Sequence, residues 1–121
     1  MKGNGGKLIA HLFQLQCSIK LLHWQTESYA VHVASDKLVH SIVDLSDALI
    51  EQYIGLYGRP RLSPGTCKIA LTNMTTERGV RILKDAIAFL SSNVPRQPPL
   101  LALRDELMGS ISEALYLFTL K

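Results

Sequence analysis

The sequence predicts an all-α protein, a four-helix bundle. Three observations carry that reading. Apolar residues recur at three- and four-residue steps through four separate stretches, which is the period of an amphipathic helix. Proline and most of the glycine fall outside those stretches, where a helix must stop. Strand-like alternation never runs longer than four residues, and there is no internal repeat.

The opening carries glycine at 3, 5 and 6 and is expected to be flexible over residues 1–6. From Lys7, KLIAHLFQLQCSIKLLHWQ reads as the first helix, with Leu8, Leu12, Leu15, Ile19 and Leu22 on one face. Thr26 or Ser28 can cap the second helix. That helix is expected from about Tyr29 to Leu56, with Val31, Leu38, Ile42, Leu45, Leu49, Ile50, Tyr53 and Ile54 keeping the period. Gly55, Gly58 and Pro60 end it. GRPRLSPGTCKIALTNM is a long connection for a bundle, with room for a short turn of helix. The third helix, TTERGVRILKDAIAFLSSN, opens on Thr75 or Thr76, a partial match to a capping box. VPRQPP stops it, and LLALRDELMGSISEALYLFTLK forms the fourth helix to the last residue. The bundle is expected to be antiparallel, with the third and fourth helices shortened. Gly79 and Gly109, inside those helices, predict close helix contacts.

The length of 121 residues suits one domain spanning 1–121. Hydrophobic residues at 47% support a real core, but charged residues at 19% are few for a small chain covering its own surface, so contacts between subunits are expected. The net charge of +3 permits an anionic partner without requiring one. The basic residues are scattered, and only Arg59–Arg61 and Arg78–Lys84 form loose groups; nucleic-acid binding is weakly supported. Cys17 and Cys67 give neither a disulfide framework nor zinc spacing. Cys17 is expected to be a buried thiol, and a reducing, cytoplasmic setting follows. No signal-peptide pattern and no apolar run of about 18 residues is present, so no membrane span is expected.

The second helix carries the chemistry. At about 100° per residue, His32, Asp36, Asp47, His40, Glu51 and Asp44 fall within about one third of its circumference. A solvated polar face is the ordinary explanation of such a stripe. Two details argue for more. Lys37 is the helix's one cation, whereas solvated faces usually mix signs. The residues also come as i,i+4 pairs, His32/Asp36 and Asp47/Glu51, and imidazole with carboxylate suits iron, manganese or zinc. Asp36 and Asp47 are roughly 16 Å apart along the axis, so one chain cannot bring both pairs to one metal. An antiparallel second copy can, placing the His32/Asp36 end against the partner's Asp47/Glu51 end and making two equivalent sites by symmetry. His23, at the end of the first helix, can join as a fifth ligand. No Glu-x-x-His pair occurs, which disfavours a di-iron site within one chain.

LHW, then a further histidine, H-x-x-x-D, and D-x-x-x-E eleven residues on, resembles the ferroxidase signature of Dps proteins, the miniferritins. The resemblance implies a ferritin-like bundle. It also implies a metal site shared by two subunits on a twofold axis, held by His23, His32, Asp36, Asp47 and Glu51, with Fe as the metal and Zn or Mn possible there. It covers residues 8–58 well. The interval from His23 to His32 is shorter than in Dps proteins, the second half is trimmed, and the usual long basic or disordered N-terminal tail is missing. Taken whole, the chain looks more like small uncharacterised ferritin-like proteins of phages and large DNA viruses, placing it in host cytoplasm or a virion.

Other residues carry less. Trp24 is expected either over the metal site or in a core or interface. His11, with no carboxylate near it in sequence, reads as structural, and His40 and Asp44 as partners that orient ligands or as interface groups. Two functions compete. One is an iron-binding homo-oligomer that oxidises and sequesters Fe(II). The other is a virus-encoded structural or assembly protein that keeps the bundle without metal turnover.

Overall fold

A computed structural model describes residues 5–65 and 67–121, and the regular structure among them is entirely helical. Helix α1 spans Gly5–Gln25, α2 Tyr29–Tyr57, α3 Thr76–Asn93 and α4 Pro98–Leu117. The expectation of four helices is met. The flexible start expected over residues 1–6 lies outside the described residues for 1–4, while Gly5 and Gly6 belong to α1.

The helix ends follow local chemistry. Ser28 caps α2, its hydroxyl accepting from the Val31 N–H at 3.2 Å, while Thr26 Oγ1 accepts from the Ser28 N–H at 3.1 Å. Gly58 closes α2 at φ 87°, a left-handed conformation that suits glycine, and its N–H donates to Ile54 O at 2.8 Å. Gly55 stays helical, so the stop falls at Gly58. Thr75 caps α3 by accepting from the Arg78 N–H at 3.2 Å. Helix α4 departs from expectation at both ends. Pro98 and Pro99 occupy its first turn, where a missing N–H costs nothing, and the helix ends at Leu117 before the last residue. The helices hold 21, 29, 18 and 20 residues, so α3 and α4 are the shorter pair, as expected, and α2 is the longest.

The apolar stripes close on one core. Leu8, Leu15, Ile19 and Leu22 of α1 meet Ile42, Leu49 and Tyr53 of α2, Leu83 and Leu90 of α3, and Leu100, Leu107 and Ile111 of α4. Helix α1 packs mainly on α2 and α3, and α4 mainly on the same two. Gly79 lets α3 press against α1: a Cβ there would stand 2.7 Å from Leu22 Cδ2. Gly109 makes no such approach, since it is exposed and nothing lies within 4 Å of its Cβ position.

Among its described residues the α2–α3 connection holds no helical turn. It lies along α1 from that helix's first turn to its last. Pro60 sits against Gly5 and Leu62 against Gly6. Farther on, the Gln14 amide donates to Ala70 O and accepts from the Ala70 N–H, both at 2.8 Å. Gln25 accepts from the Met74 N–H at 2.6 Å and donates to Asn73 Oδ1 at 3.1 Å. Two side-chain amides of α1 thus hold backbone that no helix or sheet satisfies. Cys17 is half-buried rather than buried. No described helix is long and apolar enough to cross a membrane.

Candidate metal centre

The tight turn 26–28 brings the end of α1 against the start of α2. His23 lies in the last turn of α1, where carbonyls lack helical partners. His32 lies one turn into α2. His23 Nδ1 donates to His32 O at 2.8 Å, and His32 Nδ1 donates to His23 O at 2.9 Å. The rings stack with centroids 4.0 Å apart and 17° between their planes. A carbonyl can only accept, so each Nδ1 carries the hydrogen and each neutral ring keeps its lone pair on Nε2. Backbone carbonyls commonly fix metal-ligating histidines in this way.

The carboxylate nearest this pair is Asp36. Its Oδ1 lies 4.0 Å from His23 Nε2, close enough for one cation to reach both. His23 is well shielded at 12% side-chain exposure, against 46% for Asp36, so the histidine is preset and the carboxylate faces water. His40 approaches Asp36 from the next turn: its Nδ1 donates to Asp36 O at 2.8 Å and lies 3.7 Å from Oδ1. The expected pairing of His32 with Asp36 is not made among the described residues, because the His32 ring turns back to the α1 carbonyl. His23 takes its place beside Asp36. Lys37, the one cation of α2, pairs with Glu113 of α4 at 2.8 Å, and among the described residues no lysine or arginine is paired with the stripe.

Asp44, Asp47 and Glu51 lie farther along α2, all exposed. Asp44 and Asp47 border a cavity of about 470 Å³ whose walls include Phe13, Val43 and Ile50. Among the described residues no three metal-capable side chains gather at one point within the chain. His23 thus stands between Asp36, beside its Nε2, and His32, stacked on its ring, and Asp47 and Glu51 lie farther along α2. Trp24, adjacent to His23, is 69% exposed and no part of the chain's own core; Lys20 lies over its ring at 5.5 Å. His11 fits its structural reading, stacked on Phe89 at 3.9 Å. The reciprocal backbone bonds of the two histidines were not foreseen; their signal is the nine-residue interval across a capped turn.

These features define a helical-bundle protein with a histidine–carboxylate face on its longest helix. The chain belongs to a family of unknown function (DUF5856), whose profile matches residues 23–118 and so takes in all five candidate residues. No curated protein and no solved structure matches the chain.

Proposed function

We propose that the chain is a Dps-like iron-binding protein with a ferritin-like bundle, and that its Fe(II)-oxidising site forms between two copies related by a twofold axis. The observation that carries this is the locked histidine pair with Asp36 beside it. A metal-ready Nε2 faces a carboxylate, yet among the described residues the donors of one chain do not complete a metal-binding group. The missing donors are of the type that Asp47 and Glu51 offer from an antiparallel copy.

The helix order supports the ferritin-like reading. Leu22 meets Gly79 while His11 meets Phe89, so α1 and α3 run in opposite directions. Ala34 and Lys37 share a crevice with Glu113 and Leu117, which fits an antiparallel α2 and α4. The connection returning along α1 then serves as the single long crossover of such bundles.

Fe(II) is the substrate. His23, His32 and Asp36 of one copy would bind it with Asp47 and Glu51 of the other, and peroxide or dioxygen would accept its electrons. Zn or Mn would compete for the same donors. The test is anaerobic loading with Fe(II) followed by peroxide, read by the absorbance of Fe(III). Asp36→Ala and Glu51→Ala should each abolish rapid oxidation, and wild-type rates in either would overturn the proposal.

A second reading has its own observation. Phe13, Trp24, Tyr29 and Val33 leave large apolar surface exposed on α1 and the start of α2, as an assembly interface would. A virus-encoded structural protein would use this face and need no metal. Protein purified without chelator that stays assembled and metal-free would favour it.

A further inference from the structure

We infer that the basic hollow at the end of the bundle where α2 gives way to the connection is a binding site for a small phosphate-bearing ligand of nucleotide size. This rests on residues remote from the histidine–carboxylate face and stands whether or not that face binds iron.

The hollow has a volume of about 730 Å³, within the range of small-molecule sites. Lys7 of α1 and Arg59 and Arg61 of the connection line it, together with Tyr57 and Ser63, and no acidic residue contributes. Among the described residues none of these three cations is in an ion pair. The two arginine charges are therefore uncompensated within the concavity, where low-dielectric walls concentrate the field on an anion, while the Lys7 ammonium lies at its margin, 5.8 Å from the Phe89 ring centroid. Two arginines that can each grip a phosphate with two parallel N–H donors suit that anion better than a lone lysine would.

The hollow is built by the backbone. Gly58, in its left-handed conformation, turns the chain out of α2 so that Arg59–Ser63 doubles back over the start of α1. Gly5 and Gly6 permit the approach: a Cβ on Gly5 would stand 2.9 Å from Pro60, and one on Gly6 2.9 Å from Leu62 Cδ2. Behind the cations the wall is apolar and aromatic. Tyr53 is buried and its ring lies 4.9 Å from that of half-buried Tyr57. Phosphate at the arginines would leave the rest of the ligand against the Tyr57 ring. That division of charge and aromatic surface favours a nucleotide over a bare oxyanion.

The test is isothermal titration of the full chain with adenosine monophosphate, inorganic pyrophosphate and a short single-stranded DNA, at low and at physiological salt. Saturable binding of the monophosphate, weakened at least about tenfold in Arg59→Ala/Arg61→Ala and unchanged in Arg81→Ala on exposed α3, supports the site. Pyrophosphate bound as tightly as the monophosphate would show that phosphate alone is read and would overturn the nucleotide assignment. No saturable binding of either small ligand, or equal binding by the double variant, overturns it. So does affinity only for DNA, which would make the surface a nucleic-acid contact. Circular dichroism of each variant confirms that it folds.

Discussion

At the scale of single residues, the histidines separate by what their nitrogens meet. His23 and His32 spend their Nδ1 hydrogens on each other's backbone. His32→Ala removes one of these bonds and the ring stack but leaves the His32 carbonyl in place. It should cost only about 1 kcal/mol in urea unfolding, because His32 is exposed. Metal retention should fall far more than stability does. His11 behaves differently. Its Nε2 is buried without a partner, and burial holds its pKa below the usual histidine value, with Asp85 opposing. Lys7, over the Phe89 ring that His11 stacks on, adds a second cation nearby. The fold therefore favours the neutral ring, and the unfolded chain binds the proton more readily. Stability from this group is present above about pH 6.5 and is lost as pH falls from there through the lower folded value. Thermal melts should show wild type losing more Tm between pH 7.5 and pH 5.5 than His11→Leu does, and equal losses would refute the assignment.

At the scale of elements, two glycines in similar sequence settings have opposite roles. Gly79→Ala would push a methyl to 2.7 Å from Leu22, which is fully buried and cannot yield without disturbing the core. The strain of about 1–3 kcal/mol should exceed the gain in helix propensity, so unfolding free energy falls. Gly109→Ala meets nothing and should raise it by up to about 1 kcal/mol. The connection offers another check. Gln14→Ala deletes both bonds to Ala70, and trypsin should then cut after Arg61 or Lys68 faster while the helices stay intact. Periodicity made the helices and their core faces legible, since Leu8, Leu12, Leu15, Ile19 and Leu22 are all buried as their spacing demands. The start of α4 was not legible. The prolines read as a stop for α3, yet they also suit a first turn, and only the chain's path decides between the two.

At the scale of the whole molecule, the candidate site is divided between two places along one helix face. If the two halves meet across a twofold axis, each can be disabled in a different chain. Wild-type protein, His23→Ala/His32→Ala and Asp47→Asn/Glu51→Gln would be compared for Fe(II) oxidation, alone and after unfolding and refolding the two variants together. Each variant alone should be inactive. The refolded mixture should recover about a quarter of wild-type activity, because half the dimers are mixed and each of those carries one intact site. No recovery, in mixtures shown by mass to contain mixed dimers, would refute a shared site.

The sequence by itself determined the class of fold and the candidate side chains. Helical period is a local property, and imidazole and carboxylate are legible as letters. It also placed the five candidate residues on the α1 end and one face of α2. Only the tertiary structure decided which donors meet. The ring of His32 turned to α1 and His23, from another helix, took the position beside Asp36. The course of the connection along α1, and the hollow where Lys7 joins Arg59 and Arg61, were likewise decided in three dimensions. The physical reason is common to all three. Each depends on where a side chain or backbone group from a distant segment finds its partner, and helical spacing does not encode such long-range pairings.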